Sequence, residues 1–152
     1  MSRDWQPAAG SGDPAGPYWA AAAQRRLEIQ RCSGCAAWIH FPEDACPRCG
    51  CADLRFEAVS GRGVIDTYTV IHRAFAPEAA GEVPYAAGFI ELEEQAGLRV
   101  FADVVGADPG AIRIGMPVEV TFTERHQWGL VPSFRPRTGW ADLDSKCDEV
   151  MG

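Results

Sequence analysis

Four of the six cysteines fall into two Cys-x2-Cys pairs, Cys32/Cys35 and Cys46/Cys49, with ten residues between the pairs. Each turn points two thiolates at one spot, and two such turns supply the tetrahedral four-sulfur shell that Zn²⁺ accepts at ~2.3 Å per sulfur. Backbone N–H groups around Gly34 and along Arg48–Gly50 are placed to hydrogen-bond the thiolate charge. Four sulfurs leave no open coordination position, so the site is structural and not catalytic. A segment this short cannot bury enough apolar surface to fold alone, and a bound ion would stabilise it by on the order of 10 kcal/mol. Iron takes the same four-sulfur geometry and is the alternative to zinc. Cys51 fits no ligand slot and reads as a bystander, and Cys147 as incidental.

The remaining residues do not assemble a catalytic set. His40, His72 and His126 are scattered, and none stands in a nucleophile–base–orienter arrangement with Ser, Cys or Asp. Gly61-Arg62-Gly63 is too short for a phosphate loop and reads as a turn or bulge. Glu91, Glu93 and Glu94 lie at a hairpin and read as a solvated face. On the residues alone, no catalytic position is expected, and the chain reads as a binding or accessory module.

The elements that must position the cysteines follow from pattern. With 152 residues there is room for one modest domain, and Gly 16 plus Pro 11 point to turns more than long helices. Residues 1–16 read as a flexible leader. Asp13-Pro14 looks like a helix start, and Tyr18 to Arg26, with Ala20–Ala23, forms a short helix. Tyr18 and Trp19 either pack that helix on its own domain or dock it on a partner. The helix and the metal ribbon occupy 17–53. From Leu54 the chain alternates as β-strands do, in Phe56–Ser60, Val64–His72, Tyr85–Leu92, Leu98–Val105 and Val118–Thr123, with one helical turn near Asp108–Ile114. Val131–Phe134 reads as a last edge segment. The fold class expected is mainly β: a short N-terminal helix, a rubredoxin-like zinc ribbon, then a five-stranded OB-fold barrel over 54–137. Residues 138–152 read as an acidic, disordered tail.

Net charge is −7, and thirteen of the fourteen basic residues are Arg. That balance argues against a nucleic-acid polyanion, while leaving arginine forks for isolated phosphates. No apolar run is long enough to span a membrane, and no signal core precedes the helix, so the expected location is the cytoplasm.

The order of features resembles a family. Pro17-Tyr18-Trp19 precedes LEIQRCSGC, HFPEDACPRCG, VSGRGVIDTYTVIHRAF, VPYAAGFIEL, IGMPVEVTF and PSFRP. This is similar to the bacterial and archaeal zinc-ribbon/OB-fold acyl-CoA-associated proteins, long called a domain of unknown function, over about Gly16 to Pro136. The resemblance implies a small, non-catalytic subunit of a thiolase-superfamily partner (thiolase, aldolase or acyltransferase), or of a hot-dog enoyl-CoA hydratase. It also implies an acyl-CoA thioester as shared ligand. CoA carries phosphates that an arginine fork reads and an adenine that an aromatic covers. Arg31, Arg48, Trp38 and Phe41 are the candidates around the ribbon, each with a plain salt-bridge or packing role as the alternative. Arg73, Phe75, Trp128 and Phe134 are expected to line partner-facing loops. A nucleic-acid module and a stand-alone enzyme or redox protein are the competing readings.

Overall fold

The computed structural model describes residues 14–73, 81, 83–125 and 129–137. The leader up to residue 13 and the tail from 138, which includes Cys147, lie outside them, as do Phe75, His126 and Trp128. Helix α1 spans Gly16–Ala23, with Pro17 in its first turn and no side-chain bond from its N-cap Ala15. It therefore starts later than Asp13-Pro14 suggests, and it also ends earlier than Arg26. Arg25 turns left-handed at φ 59, Arg25 N–H returns to the Ala22 carbonyl at 2.9 Å, and Arg26 N–H to that of Ala21 at 2.9 Å. This is a Schellman ending formed without the usual glycine.

Strands β1 (Glu28–Cys32), β2 (Trp38–Ile39) and β3 (Leu54–Ala58) make an antiparallel sheet in the order β2-β1-β3. Strands β4 (Arg62–Ile71), β5 (Tyr85–Leu92), β6 (Arg99–Val104), β7 (Pro117–Arg125) and β8 (Gly129–Pro136) close a barrel in the order β4-β5-β6-β8-β7. All barrel pairings are antiparallel except β6–β8, which is parallel and holds only at Asp103↔Ser133 and Val104↔Phe134. A 3-10 turn at Pro109–Ala111, capped by Asp108 Oδ1 accepting from Gly110 N–H at 2.9 Å, fills the connection after β6. The expected five-stranded barrel after a metal ribbon is what forms.

Two details differ from the pattern reading. The strand at Leu54–Ala58 pairs residue for residue with β1, so it belongs to the ribbon's sheet and the barrel begins at Arg62. The last strand is not an edge: β8 lies between β7 and β6 and closes the barrel. Phe134 consequently points inward and is fully buried, not on a partner-facing loop. At the entry to β4, Gly61 has φ +78, and a Cβ there would stand 2.3 Å from Val120 Cγ1. Glycine's lack of a side chain is thus required at this crossing.

One apolar core runs through both sheets. Tyr18 of α1 and Leu27 and Ile29 beside or on β1 share it with Ile65, Ile90, Leu92, Val100, Val118 and Phe134 of the barrel. Tyr18 is buried and Trp19 packs against the same core, so the helix docks on its own domain. Among the described residues no helix is long and apolar enough to cross a membrane.

Polar clamps fix the two sheets to each other. The Gln95 carboxamide accepts from Trp38 N–H at 2.9 Å and donates to the Trp38 carbonyl at 3.0 Å, as a neighbouring strand would. Glu94 accepts from Ser60 N–H at 2.8 Å, just past β3, while Glu93 pairs with Arg62 within the barrel at 3.2 Å. The hairpin expected to be merely solvated is therefore a latch for the ribbon.

Two tests follow from these contacts. Gln95→Ala strands the half-buried Trp38 amide and should lower the unfolding free energy by about 2 kcal/mol in urea titration, with bound metal unchanged. His40 packs against Tyr18 at 5.1 Å and Phe41 at 5.5 Å, and its Nδ1 is buried with no hydrogen-bond partner among the described residues. Burial pushes its pKa from 6.5 down to about 4. As pH falls through 6.5 the unfolded chain binds a proton that the folded ring refuses. Stability should thus fall between pH 6.5 and 4, by on the order of 3 kcal/mol, and level off below. The difference in unfolding free energy between wild type and His40→Phe, measured against pH, should show that slope.

Candidate metal centre

The two Cys-x2-Cys turns are built alike. In the first, Ala36 N–H bonds the Cys32 carbonyl at 2.9 Å and Cys32 N–H bonds the Ala37 carbonyl at 2.9 Å. In the second, Gly50 N–H bonds the Cys46 carbonyl at 2.9 Å and Cys46 N–H bonds the Cys51 carbonyl at 2.9 Å. The residue after each second cysteine is left-handed, Ala36 at φ 62 and Gly50 at φ 78. Each turn thus curls its backbone around its own sulfurs. Strand β1 delivers Cys32, and the loop after β2 delivers Cys46. A second reciprocal amide clamp sets that loop: Gln30, buried on β1, donates to the Glu43 carbonyl and accepts from Glu43 N–H, both at 2.8 Å.

All four Sγ atoms lie within 4.8 Å of one another. Cys32 and Cys49 sulfurs are 3.5 Å apart, and Cys35 and Cys46 sulfurs 3.6 Å. Sulfurs at ~2.3 Å from a central ion in a tetrahedron are ~3.8 Å apart, so the cradle fits a four-thiolate metal. Cys32 and Cys46 are buried; Cys35 and Cys49 face outward. Around them Ala37 and Ile39 are buried, with Cys51 and Leu54 packed against them, a small core centred on sulfur.

The electrostatics favour an ion too. The Cys35 N–H, then that of Gly34, hydrogen-bonds the Cys32 sulfur and draws its thiol down to about 6 against the opposing effect of burial. Cys46 is likewise lowered, first by the Cys49 N–H and then, past burial's opposing effect, by that of Arg48. Cys49 receives the Cys51 N–H, which lowers it, yet the Cys32 sulfur, burial and the other two sulfurs outweigh that and push it up to about 12. Backbone N–H groups thus favour the thiolate at Cys32 and Cys46, while the neighbouring sulfurs disfavour it at Cys49. A divalent ion removes that conflict. Cys32, Cys35, Cys46 and Cys49 would hold it, and it would supply cross-linking, with no coordination site left for a substrate.

Of the expected CoA candidates, the fold brings two together. The Arg31 guanidinium lies 4.5 Å over the Trp38 ring, pairs with Glu57 at 2.9 Å and donates to the Ala36 carbonyl at 3.1 Å. Both side chains brace the ribbon sheet. Arg48 is exposed on the second turn, where its N–H faces the Cys46 sulfur at 3.4 Å. Phe41 is exposed and rests against His40. His72 and Arg73 are exposed at the end of β4. Pattern reading missed Gln30 and Gln95. Gln30 sits in Leu27-Glu28-Ile29-Gln30-Arg31, whose apolar–polar alternation reads its polar residues as outward, and Gln95 in a turn that reads as solvent-facing.

A closed four-sulfur shell loses its grip when one ligand is removed. Cys46→Ser should drop bound zinc from about one ion per chain to near zero by elemental analysis after chelator dialysis, and melt the ribbon. Cys51→Ser should keep it. Since protons compete for the thiolates, zinc should also be released as pH falls and retained as it rises.

Comparison with known proteins agrees with this architecture. Residues 19–55 match the family described as ChsH2, rubredoxin-like zinc ribbon domain, and residues 56–123 match ChsH2, C-terminal OB-fold domain. A solved structure titled Ltp2-ChsH2(DUF35) aldolase superimposes with a TM-score of 0.73 at 36% identity, covering 84% of this chain and 97% of that one. A probable enoyl-CoA hydratase alpha subunit of Thermomonospora curvata is 40% identical over 119 residues, 78% of this chain. The chain spans only 36% of that subunit's length. A DUF35 domain-containing scaffold protein of Methanothermobacter thermautotrophicus is 33% identical over 132 residues, 79% of this chain and 94% of the relative. With a ribbon of four convergent sulfurs joined to a five-stranded barrel, and these relatives across its length, the chain belongs to the ChsH2-type DUF35 family of zinc-ribbon/OB-fold proteins.

Proposed function

We propose that this chain is the zinc-binding, non-catalytic subunit of a cytoplasmic acyl-CoA-processing complex, whose thiolase-superfamily partner carries out the reaction. The observation that carries this reading is the likeness to the Ltp2-ChsH2(DUF35) aldolase, in which 97% of the matched chain is covered by this one. The side chains are consistent with an accessory role. Of the two histidines among the described residues, His40 is half-buried with its pKa pushed down to about 4 by that burial, and His72 is exposed at the end of β4. Seven arginines are already paired with carboxylates, namely Arg26, Arg31, Arg55, Arg62, Arg99, Arg125 and Arg135. Among the described residues these pairings offset much of the basic charge that a nucleic-acid backbone would require.

Within this reading, the chain helps receive the CoA thioester. Arg31 is committed to Glu57 and Trp38, so Arg48 is the better candidate for a CoA phosphate, with Phe41 as an exposed aromatic for the adenine. A second reading, in which the partner hydrates an enoyl-CoA, is favoured by the relative named as a hydratase alpha subunit. Affinity purification from the native host, followed by cleavage and hydration assays of the purified complex on acyl-CoA substrates, separates the two. The expected result is a stable hetero-oligomer with turnover that neither subunit shows alone. Turnover by the isolated chain would overturn the accessory role. Arg48→Ala should raise the complex's KM for CoA substrates by roughly 3- to 10-fold with metal content intact. Unchanged kinetics would remove Arg48 from the site.

A further inference from the structure

The outer face of β4, β5 and β6 carries an aromatic pair that the core does not use. Register aligns Thr67, Phe89 and Phe101 in one row across the three strands. The two rings meet edge to face at 5.3 Å, and Phe89 and Phe101 remain 44% and 59% exposed. Their strand neighbours Ile90, Val100 and Ala102 point the other way and are buried. One row away, Val64 is also exposed, aligned with Glu91 and Arg99.

The charges on this face are satisfied within it. Arg99 pairs with Asp66 at 3.0 Å, and Asp103 pairs with Arg125, whose guanidinium also stands 5.6 Å from the centre of the Tyr85 ring. Glu91 accepts from Gly97 N–H at 3.4 Å. On a chain of net charge −7, the charges named here (Asp66, Glu91 and Asp103 against Arg99 and Arg125) leave a single net negative charge around an aromatic centre. A polyanion or an anionic lipid surface would call for cations without internal partners. Protein interfaces instead combine an aromatic centre with a polar rim, and about 800 Å² of each partner must be covered for a stable complex.

We infer that the Phe89–Phe101 face is where the catalytic subunit docks, through an apolar and uncharged patch of its own. The inference rests on the accessory-subunit reading above and adds to it the surface. The likeness to the Ltp2-ChsH2(DUF35) aldolase supports the module itself as the docking element, since that chain is covered almost entirely by this one. Phe89 and Phe101 are the anchors, and the Arg99–Asp66 and Arg125–Asp103 pairs form the rim.

The test uses the catalytic subunit purified from the complex described above, titrated by calorimetry against three forms of the full chain. These are wild type, the double variant Phe89→Ser/Phe101→Ser, and Ile114→Ser, whose side chain is 70% exposed in the turn before β7. The double variant should bind about 30-fold or more weakly, and Ile114→Ser should bind like wild type. Both should keep their metal and their circular dichroism. Equal binding by the double variant overturns the surface and leaves the subunit reading standing. If wild type binds no catalytic subunit, both fail. Wild-type dimerisation abolished by the double variant would assign the face to a second copy and overturn the inference. Binding of a single-stranded oligonucleotide or an anionic vesicle, lost in the double variant, would do the same.

Discussion

Four cysteine sulfurs within 4.8 Å of one another repel as thiolates, and a cation at their centre would relieve that repulsion. Backbone N–H groups ease Cys32 and Cys46 toward ionisation while the same neighbours hold Cys49 back. A divalent ion held by the four sulfurs would resolve this, and would stand in for the hydrophobic core that so short a segment lacks. Among the described residues, Ala37 and Ile39 are the aliphatic side chains buried in the cluster around the sulfurs. The ribbon's shape is therefore an ionic and coordinate construction set beside a conventional apolar barrel.

The two constructions are joined in two ways. Tyr18, Leu27 and Ile29 extend the barrel core beneath the ribbon sheet, which supplies non-directional attraction. Gln30 and Gln95 supply direction, each presenting a carboxamide to both backbone groups of a single residue. One clamp sets the loop that delivers the second pair of cysteines, and the other sets where β2 sits on the barrel. Together they hold the sulfur cradle in one orientation on the barrel.

Much of this was legible in the residues because it is local. The cysteine turns are four residues long, and barrel strands announce themselves by alternation. What escaped depends on distant partners. Gln95 and Trp38 are 57 positions apart, and nothing near either residue signals the bond. Phe56–Ser60 reads as a strand, but the fold sets it at Leu54–Ala58 and supplies its neighbour β1, which nothing local signals. Arg25 ends the helix left-handed where glycine would ordinarily mark the stop. Phe89-Ile90 and Val100-Phe101-Ala102 are apolar in consecutive positions, so alternation could not tell which side faces water.

The two-residue parallel seam between β6 and β8 has a consequence for assembly. Parallel partners must be brought together over a long intervening stretch of chain, and the loop entropy is lost before the few contacts at the seam repay it. The ribbon, whose cysteines lie within 18 residues (Cys32 to Cys49), has no such delay. During synthesis the sulfur cradle can close as soon as zinc is at hand, whereas the sheet above it keeps an unjoined margin until its final strand is made. A bound ion would thus let the ribbon close early, while closure of the barrel waits for β8 to be in place.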